Sequence, residues 1–217
     1  MEQLEEMRAF FTARIDDYDR HMLEEVPGCR EGYVCMAALL PKDMEWLLDL
    51  GCGTGLELDA IFERFPSLHV TGVDFTPAML ERLRDKYPDQ ALNLMVGDYR
   101  TIALDSERYD ASVSFQTLHH LFPDEKLAFY TRLRQAIKPG GCYIEGDYML
   151  IDPQEEAFYF QEATRLRAEQ GLSAEALIHY DIPCTVDHQI DLLTRAGFAA
   201  VQMVWREENT TIITAQA

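Results

Sequence analysis

Trp46-Leu47-Leu48-Asp49-Leu50-Gly51-Cys52-Gly53-Thr54-Gly55 is the stretch on which the fold turns. Five residues of short apolar run, closed by glycines, are expected of a strand buried on both faces. The glycines that follow let the backbone turn sharply and come within contact distance of a ligand. Leu56, Leu58, Ile61, Phe62 and Phe65 then recur at helical spacing. Downstream the same rhythm repeats. The strand LHVTGVD ends on Asp74, and a helix opens with Thr76 as cap and Pro77 in its first turn. ALNLMV and YDASVSF read as strands, residues 124 to 137 as a helix, Pro139-Gly140-Gly141 as a turn and CYIEGDYML as a strand. Such alternation calls for an α/β fold, a mostly parallel Rossmann-like sheet with helices on both faces.

The flanks differ from this core. Leu4, Met7, Phe10, Phe11, Ile15, Tyr18 and Met22 trace one amphipathic helix over 4 to 24, ended by Pro27 and Gly28, and a second helical stretch over about 31 to 40 stops at Pro41. At the other end, a helix over 186 to 196 is stopped by Gly197. FAAVQMVW and TTIITAQA then flank the polar turn Arg206-Glu207-Glu208-Asn209, an antiparallel hairpin. One domain is expected over 1–217: a helical cover (1–43), a ligand-binding core (44–150), a helical lid insertion (152–184), and the last helix with its hairpin (185–217).

The chain has 217 residues and a net charge of -19, and its Lys and Arg never gather free of acids. That field repels phosphate backbones, so nucleic acid is not the expected partner. Five scattered cysteines without a C-x-x-C pair argue against a disulfide framework or a zinc ribbon. The acidic, polar start MEQLEEMRAF and the lack of a long apolar run imply a cytoplasmic protein without a membrane span. Nothing in the sequence sets the oligomeric state.

An acid at the end of the second strand, Asp74, suits the ribose hydroxyls of a nucleotide bound at the carboxyl ends of the strands. A dinucleotide loop would read G-x-G-x-x-G, but the sixth position counted from Gly51 is Leu56. Asp49, just ahead of the loop, would repel a pyrophosphate, yet suits a cationic amino group. The pattern therefore favours S-adenosylmethionine (SAM) over NAD.

With these motifs in order over about 44 to 150, the chain resembles the class I SAM-dependent methyltransferases, a family whose seven-stranded sheet ends in an antiparallel strand. LLDLGCGTG, VTGVDFTPAML, GDY and LRQAIKPGGCYIEGD carry the resemblance. It implies that Asp49, Gly51, Cys52 and Gly53 hold the methionine part, Asp74 the ribose, and Phe75 and Met79 the adenine face. Asp98, with the Tyr99 backbone beside it, would accept from the adenine amino group, and Phe115 and Gln116 would line the cleft near the sulfonium. Met79 and Phe75 also suit plain packing, and Asp98 a turn cap.

Methyl transfer from a sulfonium is an in-line displacement in which the protein mainly aligns nucleophile and methyl. Ser114-Phe115-Gln116-Thr117 stands where relatives that modify amide or adenine nitrogens carry an Asn-Pro-Pro-Tyr type motif, which points to other acceptors. A small-molecule acceptor is expected; an RNA or protein acceptor, or other SAM chemistry, is the alternative. The candidate bases are His119 and His120, with Asp147 at the end of the fifth core strand and His179 in the HYDIP segment. Helix-end hydrogen bonding is the plainer role for either of the paired histidines. Tyr18 on the first helix is the residue expected to fold over the cofactor. A metal site from His179, Asp181 and Asp147 lacks a helical H-x-x-x-H or close ligand pair, so no metal is expected.

Overall fold

The computed structural model describes residues 4–173 and 176–217. Residues 174 and 175 of the insertion lie outside the described residues. A seven-stranded sheet forms the centre. Its strands are β2 (Trp46–Leu50), β3 (His69–Asp74), β4 (Ala91–Val96), β5 (Tyr109–Phe115), β6 (Ile137–Tyr148), β8 (Ala199–Glu207) and β9 (Thr210–Gln216), in the order β4-β3-β2-β5-β6-β9-β8. Pairing is parallel except at β9, which runs antiparallel to both β6 and β8. Leu47, Leu48 and Leu50 on β2 are wholly buried, as a central strand covered on both faces requires.

Helices α4 (Leu56–Arg64), α5 (Pro77–Lys86), α6 (Pro123–Ala136) and α8 (Val186–Arg195) make the crossovers. With α3 (Cys29–Leu39) they cover the sheet in two apolar clusters. One gathers Leu48, Phe129, Tyr143 and Leu193; the other gathers Met36, Leu47, Ile61 and Val113. A buried polar network ties α6 and α8 to β6. Lys126 Nζ donates to Gln189 Oε1 (3.1 Å), Gln189 Nε2 donates to Glu145 Oε1 (2.7 Å), and Tyr130 Oη donates to Glu145 Oε2 (2.8 Å). Burial and the Asp147 charge push Glu145 up to about 7, against which Lys126 and these donors act.

Several local expectations are corrected. The amphipathic stretch 4–24 is not one helix but β1 (Glu5–Glu6), α1 (Met7–Arg14) and α2 (Tyr18–Glu24). The break is held by tertiary bonds rather than by glycine or proline: Arg82 donates to the Ile15 carbonyl (2.8 Å) and pairs with Asp16. Thr76 occupies the cap position of α5 without a side-chain cap bond; the Asp74 carboxylate takes its N–H instead. The Pro139-Gly140-Gly141 turn is absorbed as an irregularity of β6, with Gly140 at φ +83.

The insertion folds as α7 (Pro153–Glu169) and a return segment carrying β7 (Ile178–His179). β7 pairs antiparallel with β1, Glu5 opposite His179 and Glu6 opposite Ile178. Met7 N donates to the Leu177 carbonyl (3.0 Å), and the Phe10 ring stacks on His179 at 3.4 Å between centroids. The N-terminal helices and the insertion thus form one roof above the carboxyl ends of β2, β5 and β6.

Phe115, expected in the cleft, packs instead against Tyr33 (centroids 4.4 Å), and a methyl on Gly146 would enter its ring. Gly146→Ala is therefore expected to cost about 1–3 kcal/mol by overpacking. Phe115→Leu in the same chain should recover most of that loss, as read from urea denaturation midpoints.

Candidate active site

At the carboxyl end of β2 the chain turns through Gly51 (φ +68), Gly53 (φ +48) and Gly55 (φ +74). These are left-handed values that favour glycine. A side chain at Gly51 would also collide with Thr117. The turn brings the Gly53 N–H to Asp74 Oδ2 (3.0 Å), while Asp74 Oδ1 accepts from Thr76 N (2.7 Å). Asp74 is thereby fixed at the mouth of β3, with lone pairs left for further donors.

Asp49 is wholly buried, and neither of its carboxylate oxygens has a hydrogen-bond partner. Such orphaned buried acceptors are rare and costly. Burial pushes Asp49 well above the usual carboxylate range, and Glu57, by its charge and by a carboxyl–carboxyl contact too long for a formed hydrogen bond, and the Asp74 charge push it further. Burial likewise raises Glu57, in the first turn of α4, to about 7, and Asp74 to about 6, where the Thr76 and Gly53 N–H groups restrain it. Two buried carboxyl groups, Asp49 and Glu57, thus stand beside the half-buried Asp74, a site suited to a positive charge.

The other expected cofactor residues divide. Tyr18 on α2 stands over Gly53, its hydroxyl 3.7 Å from where a Gly53 Cβ would lie, and Asp19 beside it accepts from Thr54 Oγ1 (2.5 Å). Phe75 presents its ring to the Arg8 guanidinium (4.5 Å), and Arg8 Nε donates to the Phe75 carbonyl. Met79 is buried in the first turn of α5. Cys52 offers neither thiol nor N–H: its sulfur packs against Gly72 and its N–H donates to the Val73 carbonyl, as does that of Gly51. The Asp98 carboxylate accepts from Arg100 Nε and Nη2 (2.8 Å for the latter), and Arg100 in turn pairs with Glu125 (2.5 Å). Tyr99 is buried, its hydroxyl donating to the Thr117 carbonyl (3.0 Å). Gln116 follows β5 at φ +50, unusual for a residue with a side chain, and its amide donates to Thr210 Oγ1 (3.1 Å).

Under the roof lies a cavity of about 580 Å³, walled by Phe10, Phe11, Tyr18, Gln116, His119, His120, Tyr148, His179 and Asp181 among others. Two histidines come from a single 3-10 turn, Leu118–His120, that follows β5. His119 Nδ1 is 2.6 Å from Asp147 Oδ1, so an Nδ1–H donated to the carboxylate leaves a lone pair on Nε2. Burial would lower His119, but the Asp147 charge and hydrogen bond, with Asp181 beyond, more than offset it and the imidazole is raised. His120 is driven well below its ordinary value by burial and by His119 and His179. His179, stacked on Phe10, is lowered by burial. The cavity's arginines are engaged: Arg14 with Glu5 (3.1 Å), and Arg20 with Glu25 (2.5 Å) and Asp17 (3.5 Å).

A Rossmann-like sheet with a glycine turn, a ribose-ready acid and an unneutralised acidic pocket defines a nucleoside-binding domain for a cationic cofactor. Residues 47–141 match the family model described as a methyltransferase domain. Over these residues the chain is similar to SAM-dependent methyltransferases. The chain is 30% identical over 167 residues to the carboxy-S-adenosyl-L-methionine synthase of Chromohalobacter salexigens, an alignment of 70% of this chain that spans 61% of that protein. Among solved structures, Burkholderia thailandensis 1,6-didemethyltoxoflavin-N1-methyltransferase superposes with TM-score 0.67 at 18% identity, covering 97% of this chain and 86% of that one. Human N-acetylserotonin methyltransferase in complex with SAM gives 0.66 at 18% identity, covering 97% and 59%. These likenesses carry the fold.

Glu57, absent from the sequence-based candidates, is the main addition. It sits in a helical first turn, where an acid is unremarkable, and only burial beside Asp49 marks it. Its carboxyl rises from 4.5 to about 7 on folding, so the acid costs the unliganded chain stability as pH climbs through that window. A cation bound there reverses the cost. SAM is expected to raise the melting temperature more at pH 8 than at pH 6, measured by scanning fluorimetry. Glu57→Gln should shrink the difference.

Proposed function

We propose that the chain transfers the methyl group of SAM to a small-molecule acceptor held in the roofed cavity. The observation that carries it is the orphaned, buried Asp49 carboxylate beside Glu57 and Asp74. SAM brings an ammonium, a sulfonium and a ribose diol, which are the charges and donors this pocket is without. Bound there, SAM supplies an activated methyl carbon, and the residues do the rest. Asp49 and Glu57 attract the cationic end, Asp74 takes the ribose hydroxyls, and Phe75 and Met79 flank the base. Tyr18 and Asp19 on α2 close over the glycine turn and keep water out.

Alignment of an acceptor in the cavity then supplies about 7–11 kcal/mol of the barrier reduction. An acceptor hydroxyl, thiol or ammonium must also lose its proton. His119, held by Asp147, is the group on the wall that assists this loss, with His120 and His179 beside it. The roof joins cover (1–43) and lid (152–184) into one enclosure, which suits a small molecule rather than a polymer. Its arginines being paired, the cavity favours neutral or cationic aromatic acceptors over carboxylates and phosphates. A chain of this composition, with no described helix long and apolar enough to cross a membrane, fits work in the cytoplasm.

A second reading is favoured by the carboxy-SAM synthase likeness: a reaction that modifies SAM itself. Incubation with methyl-labelled SAM and a whole-cell lysate, fractionated afterwards into small molecules, RNA and protein, separates the readings. The expected result is S-adenosylhomocysteine together with a labelled small molecule. Label on RNA or protein would overturn the acceptor class, and a carboxylated SAM without S-adenosylhomocysteine would establish the second reading. Asp74→Ala should weaken SAM binding at least tenfold in calorimetry, since two charge-assisted hydrogen bonds are lost, each of about 1.5–3 kcal/mol.

A further inference from the structure

Opposite His119 and His120, the return segment of the roof places Asp181 at the cavity mouth, its side chain 41% exposed while both imidazoles are buried. Asp181 Oδ1 stands 3.5 Å from His119 Nε2 and 3.5 Å from His120 Nδ1. Ligand atoms from all three residues lie within 4.8 Å of one another. Two bonds of about 2.1 Å meeting near the tetrahedral angle subtend an edge of about 3.4 Å, so both spacings are those of neighbouring metal ligands. His120 Nδ1–H donates to the Tyr180 carbonyl (3.2 Å), a bond that ligation through Nδ1 exchanges for the ion.

Behind this set, Asp147 holds His119 Nδ1 at 2.6 Å and is itself fixed by the Tyr148 N–H (2.9 Å). A carboxylate behind an imidazole, setting its tautomer and aiming the other nitrogen, is the usual support of a metal-bound histidine. We propose that His119, His120 and Asp181 bind one divalent first-row transition-metal ion on the acceptor wall of the cavity. Two imidazoles and one carboxylate suit Zn²⁺, Fe²⁺, Co²⁺ or Mn²⁺, and leave coordination positions on the cavity side. The inference rests on the methyl-transfer reading and deepens it: His119 assists the acceptor through the ion.

An acceptor oxygen beside the ion gives its proton to solvent, because the ion's charge stabilises the anion. The oxygen lone pair then forms the bond to the methyl carbon as the carbon–sulfur bond breaks, its electron pair staying on sulfur. The negative charge of the acceptor and the positive charge of the sulfonium cancel as the methylated acceptor and the thioether form, while the ion keeps its charge. The described residues hold another possible ligand group, Glu156, Cys184 and His188, in which Glu156 Oε1 already takes the Thr185 N–H (3.1 Å) and His188 Nδ1 (2.6 Å). It closes α7 onto α8 and lies outside the set of cavity-lining residues.

Co²⁺ discriminates between the two, since a thiolate ligand adds a near-ultraviolet charge-transfer band that nitrogen and oxygen ligands do not. Chelator-stripped protein titrated with CoCl₂ is expected to bind a single ion with visible d–d bands and no thiolate band. Asp181→Ala, a change at an exposed side chain, and His119→Gln should each weaken that binding by tenfold or more. Asp147→Asn should weaken it about 10–100-fold, and His188→Gln should leave it unchanged. SAM affinity, measured in parallel, verifies the fold of each variant. Absence of Co²⁺ binding, equal binding by Asp181→Ala, or loss in His188→Gln with a thiolate band would overturn the site. Undiminished methyl transfer by chelated enzyme would overturn the role of the ion and leave the methyl-transfer reading standing. Failure of the wild type to bind SAM would remove that reading while the Co²⁺ titration still decides the metal site.

Discussion

Two carboxylic acids, Asp49 and Glu57, are buried together at the end of β2, with the half-buried Asp74 beside them at the end of β3. Removing a carboxylate from water is expensive, and gathering like charges multiplies the cost. The Gly51–Gly55 turn, whose left-handed residues aim the Gly53 N–H at Asp74, holds one of them in place. β2 lies at the centre of the parallel sheet and carries Asp49 inward on a strand with no solvent-facing side. The fold therefore stores unfavourable electrostatics in the free protein, which a cationic cofactor releases. Affinity gained this way depends on charge more than on contact area.

The second half of the site is made differently. Its wall comes from a short turn after β5, and its roof from two segments far apart in sequence that meet edge to edge. Gln116 marks the boundary between the halves. Its positive φ, sustained by the Gly146 carbonyl and by Thr210, swings the chain from strand into the His119–His120 turn. Backbone strain of this kind persists only where surrounding contacts enforce it.

The central sheet was legible in the sequence because its signals are local: apolar runs of strand length, glycines at a turn, prolines at helix starts. The parallel direction of the core strands follows from their alternation with helices, whereas the order of the strands came with the family resemblance. Where side chains compete for the same space, those signals fail. Phe115 and Gln116 are adjacent at one strand end, yet one ring is committed to Tyr33, Gly32 and Gly146 while the next side chain meets the cavity. Cys52 lies in the glycine turn but its thiol points into the sheet. Asp98 has a bidentate partner two residues away, a choice set by Glu125 on α6 as much as by local sequence. Residues 119 and 181 lie too far apart in the chain for any spacing rule to link them, and the break between α1 and α2 is written in Arg82.

The pairing of β1 with β7 joins residues about 170 positions apart, and this small ribbon completes the roof. Closing so large a loop is paid in chain entropy before any contact rewards it. The sheet and its crossovers, with their shorter separations, have no such requirement. The enclosure consequently rests on the least local pairing in the chain, whereas the pocket for the cofactor rests on the sheet and its crossovers. Local opening follows the same division, so the chamber can unlatch and re-form many times within the lifetime of a single folded sheet.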